Sequence, residues 1–138
     1  MASGLYASCL SALMGGDIDV VNTPVSAALI DIEQYTVDLD NDTSLADIPE
    51  AAILSESLLL GKALVGATFS ADPTVFSSVS ANDGVDIGAV IVFKMADTAS
   101  ESTLLYYSDE APELPATPDD EDVTITWGGG TGEVFGLI

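Results

Sequence analysis

The sequence predicts an all-β domain, mainly antiparallel, built as a β-sandwich or open barrel with a short N-terminal α-helix. Three observations predict it. The run Val85-Asp86-Ile87-Gly88-Ala89-Val90-Ile91-Val92-Phe93-Lys94-Met95 is β-branched and apolar on both faces from Ala89 to Phe93. Such a run fits a strand covered on both sides, because β-branched side chains pack well on a pleat and crowd the preceding turn of a helix. Asn82-Asp83-Gly84 before it and Ala96-Asp97-Thr98 after it are turn signals that set its length. About eight short β-rich stretches are separated by such turns, and one stretch near the start carries helical spacing instead.

That stretch is residues 4–14, within an N-terminal segment 1–16 expected to dock on the domain. Ser3 is read as its N-cap; Leu5, Tyr6, Cys9, Leu10 and Leu13 form its apolar stripe, and Gly15-Gly16 ends it. A helix of three turns is marginal alone, so the stripe must find a partner surface. Residues 17–21 read as a turn or short strand, and 25–32 as a strand with Val25, Ala27 and Leu29, and Asp31 after them, on one face. Residues 34–49 are a polar, acidic loop too long for a simple hairpin. Residues 51–60 suit strand or helix and are read as strand. Gly61-Lys62 then turns into one alternating strand, 63–70. Asp72-Pro73 opens a turn, 75–79 is short and extended, and 103–107 returns as a hairpin partner of the central strand. Residues 111–122, with Pro112, Pro115 and Pro118, read as an extended surface linker. Val123, Ile125 and Trp127 alternate with Thr124 and Thr126 as a half-buried strand; glycines 128–132 turn the chain into a terminal strand, 134–138. Trp127 and Phe135 look like core plugs beside that turn.

The 138 residues suffice for one domain, 1–138, with a sizeable core. A hydrophobic content of 48% and a mean hydropathy of +0.41 argue against disorder. No apolar run approaches the ~20 residues that span a bilayer. The first residues lack the basic region of a secretory signal, so none is expected. Charge is the outlier: 23 acids face two cations, Lys62 and Lys94, with no histidine, for a net charge of −21. Phosphate contacts need lysine or arginine in number, so nucleic acid is not an expected partner, and neither is an anionic membrane surface. The same charge opposes compaction by self-repulsion. It reads as a solvating surface first, with high-salt adaptation or divalent-cation binding as the sharper alternatives.

The missing residue types also bound the chemistry. A Ser-His-Asp triad has no base, and phosphoryl transfer lacks both arginine clamps and a Gly-Lys-Ser/Thr loop. Cys9, the one cysteine, permits no internal disulfide and reads as a buried, inert thiol. Paired carboxylates survive a count of acids, but one Trp and four Tyr are few for holding a sugar. No enzyme activity is expected. Asp38-Leu39-Asp40-Asn41-Asp42 opens like a calcium loop, yet Thr43 and Pro49 stand where an EF-hand needs Gly and Glu. Asp38, Asp40 and Asp42 are therefore candidates for a looser Ca2+ site, set against a solvated acidic loop; no other cofactor is expected. The acidic run 119–122 reads as solvated, and the glycines 128–132 as a hairpin turn and not a phosphate cradle, since no helix or lysine follows.

The order of these features resembles a family of small structural proteins of tailed-bacteriophage virions. Leu13-Met14-Gly15-Gly16-Asp17-Ile18-Asp19, Val25-Ser26-Ala27-Ala28-Leu29-Ile30-Asp31, the segment 35–40 and Asp47-Ile48-Pro49 are similar to successive stretches of that family. So are Leu60-Gly61-Lys62, Phe69-Ser70-Ala71-Asp72, Ser102-Thr103-Leu104-Leu105-Tyr106-Tyr107, Ile125-Thr126-Trp127 and Val134-Phe135-Gly136-Leu137. The likeness runs over nearly the whole chain in short, generic pieces, and departs in having fewer Lys and Arg. It implies a virion structural protein, a decoration or cement protein on the capsid exterior. Its partners would be the major capsid protein and copies of itself, as a homo-oligomer. Leu5, Tyr6 and Leu10, with Val134, Phe135, Leu137 and Ile138, are the candidate contacts, being apolar and terminal. The alternatives are a Ca2+-dependent β-sandwich binding or adhesion module, and a tail or head-fibre component.

Overall fold

A computed structural model describes residues 3–16, 19–77, 79, 85–109, 111, 113–130 and 132–136. The turn at Asn82-Asp83-Gly84, Asp17 and Ile18, Pro112, and the candidate contacts Leu137 and Ile138 lie outside the described residues. The chain runs β1 (Ser3–Leu5), α1 (Ala7–Met14), β2 (Val25–Ile30), β3 (Ile53–Leu58), β4 (Ala63–Val65), β5 (Thr68–Ser70), β6 (Thr74–Phe76), β7 (Ala89–Lys94), β8 (Leu104–Ser108), β9 (Val123–Ile125) and β10 (Glu133–Gly136). All the pairings are antiparallel. One sheet has the order β1-β8-β7-β2-β3; the others are β10-β5-β4 and the ribbon β6-β9. Among the described residues the fold is all-β with one short α-helix, as the sequence predicts.

β7 holds the middle of the large sheet, where the apolar run of the sequence puts it. It pairs with β2 without a register shift, from Val25 opposite Lys94 to Ile30 opposite Ala89. Alternation of side chains then sorts the two strands into two cores. Val25, Ala27, Leu29, Val90 and Val92 face one way, onto Phe69, Phe76, Ile125, Val134 and Phe135 of the smaller sheets and onto Trp127 just after β9. Ala28, Ile30, Ala89, Ile91 and Phe93 face the other way, onto Tyr6, Tyr35, Leu45, Ile48 and Ala52. The sheet is thus the middle of three layers, with the small sheets on one side and the acidic loop on the other. Trp127 plugs the first core with its indole N–H donating to Thr74 Oγ1 at 3.0 Å.

Several expected boundaries move, each for a tertiary reason. Residues 3–5 are a strand and not the first turn of a helix, because the edge of β8 offers them a ladder, Ser3 opposite Ser108 through Leu5 opposite Tyr106. The helix is therefore Ala7–Met14, with Tyr6 at its N-cap and no side-chain cap. Residues 63–70 form a hairpin and not one strand: Gly66 takes φ +63° and, with Ala67, turns β4 back onto β5. A glycine with positive φ in the first central place is the pattern of a type II′ turn, whose twist suits a tight hairpin. The strand at 123 ends at Ile125, and Trp127–Gly130 make a 3₁₀ turn. The segment 111–122 is held on the body, since Ile87 and Ala116 exchange both backbone hydrogen bonds, at 2.7 and 3.0 Å. Ala111 and Leu114 pack on the first core, so the segment is not a free linker.

Gly61 is the tightest of the turns. It takes φ +64°, and a Cβ there would overlap the Asp72 carboxylate. Gly61→Ala is expected to destabilise the fold by about 2–3 kcal/mol, the left-handed backbone accounting for about 1–2 of that. Gly16→Ala, with φ +76° and open space around it, meets the backbone cost alone. Urea denaturation of the two variants checks the difference, and Asp72→Ala in the Gly61→Ala background should recover most of it.

Candidate functional site

The acidic loop between β2 and β3 is where the candidate metal residues lie, and its carboxylates are engaged one at a time. Asp38 Oδ1 accepts the backbone N–H groups of Asp40 and Asn41 at 3.2 and 3.1 Å, and its Oδ2 accepts the Asn41 side-chain amide at 2.9 Å. Asp42 accepts the Tyr35 hydroxyl at 2.7 Å. Asp40 is exposed at the rim. Asp47 closes the next turn by accepting the N–H groups of Thr43 and Ser44 at 2.9 and 3.2 Å. Among the described residues no group of three or more His, Cys, Asp or Glu is arranged to hold a metal ion. Asp38, Asp40 and Asp42 thus do not converge as the Asp-x-Asp-x-Asp spacing suggests: two of the three carboxylates serve local hydrogen bonds. These bonds hold the Asp38 carboxyl below the usual carboxylate range, chiefly through the Asn41 side chain, and Asp47 below it through the Thr43 and Ser44 amides.

The loop is fastened to the sheet by a buried relay. The Tyr6 and Tyr35 hydroxyls are 2.8 Å apart. Tyr35 spends its one proton on Asp42, so Tyr6 donates to Tyr35. Burial, then the hydrogen bond to Tyr35, pushes the Tyr6 hydroxyl above its ordinary pKa; burial raises Tyr35 as well. Tyr6 therefore ties the N-terminal crossover to the loop covering the second core. It is fully buried and belongs to the chain's own interior, not to a contact surface. The same correction applies to Val134 and Phe135, which are buried against the first core; the Phe135 ring lies against Phe69, tilted by 52° with centroids 5.2 Å apart. Leu5 packs partly on that core. Leu10 alone of the described candidates stays substantially outside, 40% exposed, near Met14 at 87% on the same helix. Cys9 is buried, which pushes its thiol up to about 12, as an inert core cysteine requires.

The surface feature that the sequence reading missed is the segment from the end of β3 through β4. Leu58, Leu60, Leu64 and Val65 are all exposed, Leu60 at 64% and Val65 at 73%. Leu64 also forms one wall of an open apolar groove of about 460 Å³, with Leu13, Val20, Phe69 and Phe135. Asp19 is the one charged side chain on that wall. Lys62, between the exposed leucines, turns its Nζ onto the Thr23 carbonyl. The missed signal was compositional: three consecutive leucines, Leu58–Leu60, cannot all face one side of a strand, and only Leu59 is buried. A second, shallower cleft of about 480 Å³ is lined by hydroxyls of Ser8, Ser11, Thr43, Ser44 and Thr103 beside Asp40. No helix among the described residues is long and apolar enough to cross a membrane. No model of a known protein family matches the sequence, and a search of curated proteins finds no significant match.

Two outcomes follow from these electrostatics. A tyrosine whose folded pKa is raised stabilises the fold fully below its unfolded value, near 10, and loses that contribution as pH rises toward the folded value. Stability should therefore fall steeply above about pH 10. Tyr6→Phe should cost about 1 kcal/mol at neutral pH and flatten the alkaline limb, read by urea denaturation between pH 7 and 11. The net charge of −21 should make stability depend on salt. Raising NaCl from about 10 to about 150 mM shortens the screening length from about 30 to about 8 Å and should lift Tm by about 5 °C. CaCl2 at matched ionic strength should add no saturable step in the same melting experiment.

Proposed function

We propose that the chain is a virion structural protein, a decoration or cement protein bound to the exterior of a phage head through contacts with the major capsid protein. The observation that carries this reading is the exposed apolar segment Leu58 to Val65 on an otherwise strongly acidic body. Apolar side chains grouped on a polar surface mark a protein-contact site, because water leaves them at a gain of roughly 25 cal/mol per Å² when a partner covers them. The resemblance of the ordered sequence features to small tailed-phage virion proteins supports the same class. Binding a repeating lattice suits a small contact of this kind, since many modest contacts add across copies. No catalytic role is part of the proposal. Leu10 and Met14 offer a second, smaller apolar surface through which copies could meet as a homo-oligomer.

The test is occupancy on tailed-phage heads assembled from a major capsid protein. Purified protein should bind them, and cryo-EM should place copies on the outer shell. Leu60→Asp together with Val65→Asp should weaken binding roughly tenfold or more, about 1.4 kcal/mol or more, with Tm nearly unchanged because both side chains are exposed. Absence of density on the shell would remove the reading, and density confined to the tail would move the protein to a fibre or tail role.

A further inference from the structure

β4 ends the three-stranded sheet, and its pairing dictates which backbone groups are left over. Val65 and Thr68 flank the two-residue turn and so form the hydrogen-bonded pair of the hairpin. Antiparallel pairs alternate, so Leu64 and Phe69 are a non-hydrogen-bonded pair, with N–H and C=O groups pointing away from each other. Those of Phe69 turn toward β10, where Phe69 stands opposite Phe135. Those of Leu64 turn to the other side of β4, where no strand among the described residues pairs with it. Sheet edges are commonly blunted by charge or proline. β3, at the edge of the large sheet, carries Glu56 in this way, whereas Ala63-Leu64-Val65 carries no such residue.

We propose that β4 accepts an added antiparallel or parallel strand from another protein, an extended segment that carries Lys or Arg and places an apolar side chain beside Leu64 in the groove. This rests on the lattice-binding reading above and names the mode of contact. Backbone hydrogen bonds at an open edge supply affinity, and pockets for alternate side chains supply selectivity. The groove against Leu13, Phe69 and Phe135 is such a pocket, on the same face of the hairpin as Leu64 and Phe69. Charge selects the occupant. A second copy would bring −21 against −21, whereas a basic segment meets a strongly acidic body; Asp19 at the groove wall already accepts the Val21 and Asn22 amides. Lys62, the nearest cation, turns its Nζ onto the Thr23 carbonyl and also interacts with Asp19, so the attraction for a basic segment comes from the acidic body as a whole.

The experiment uses the full-length, 15N-labelled protein and a capped nine-residue peptide alternating lysine and valine. Amide shifts should concentrate at residues 62–66, and hydrogen exchange of the Leu64 amide should slow. Leu64→Pro removes the outward N–H and leaves the bonds to β5, so it should weaken peptide binding at least about tenfold. A peptide of equal charge with proline in place of valine cannot form a strand and should leave residues 62–66 unmoved. Shifts spread over the acidic surface, and equal for the proline peptide, would overturn the proposal in favour of charge alone. Equal binding of a glutamate–valine peptide would overturn the charge selection. Concentration-dependent shifts at 62–66 without peptide would give the edge to a second copy. Heads separate this inference from the broader reading: if Leu64→Pro binds them as well as the parent does, strand addition is wrong and decoration stands. If the parent takes up the peptide but ignores heads, decoration is wrong. Slowed exchange at Leu64 in the unaltered protein keeps the test decisive should Leu64→Pro fail to fold.

Discussion

The structure depends on a sheet that is apolar on both faces and so must be covered twice. β2 and β7 form an unshifted ladder whose odd and even positions feed two separate cores. A buried Ile, Leu or Phe contributes roughly 1.5–3 kcal/mol, so neither face could be left to water without losing much of the net stability of a small domain. The small sheets cover one face with aromatic side chains. An irregular loop covers the other, which is the costlier solution because each fixed loop residue loses about 1–2 kcal/mol of backbone entropy. The loop's acids offset part of that cost. Asp38 and Asp47 close turns by accepting backbone N–H groups, and Asp42 holds Tyr35, which in turn receives Tyr6. What looks in the sequence like a metal-binding spacing is, in space, the fastening of a lid over a hydrophobic sheet.

That double covering also decides what could be read from the sequence. A strand buried on both faces needs no periodicity, only an uninterrupted apolar run rich in β-branched residues between turn residues, and 89–93 has it. The acidic loop's covering role had no such signal: Tyr35, Leu45 and Ile48 are spaced irregularly, and only the finished sheet gives them a common target. Residues 3–5 were drawn into a strand by β8, about a hundred residues away, a partner that helical spacing cannot anticipate. The same crossover puts Tyr6 into the second core and converts an apparently spare terminal aromatic into a structural one. At the other end, Val134 and Phe135 are consumed by the first core. The hairpin at 63–70 passed for one strand because apolar residues fall on both parities, and Gly66 was the single mark of its turn. The exposed leucines were legible as composition but not as a surface, since which of Leu58, Leu59 and Leu60 turns inward is set by the pairing of β3 with β2.

Charge and the open edge can then be weighed together. A body at −21 repels its own copies at long range, but at physiological salt the field decays over about 8 Å, so repulsion slows encounters more than it weakens a formed contact. An unblunted edge strand in such a protein would invite self-pairing if the body were neutral. Here the acids do at a distance what a lysine or proline would do within the strand. On the strand-addition proposal the edge can stay apolar because charge filters approach: encounters between like copies at this edge are slowed, and a segment rich in Lys or Arg is favoured. An apolar edge on a polyanion is thus selective where the same edge on a neutral protein would aggregate. The near-absence of cations is what makes the exposed β4 tolerable.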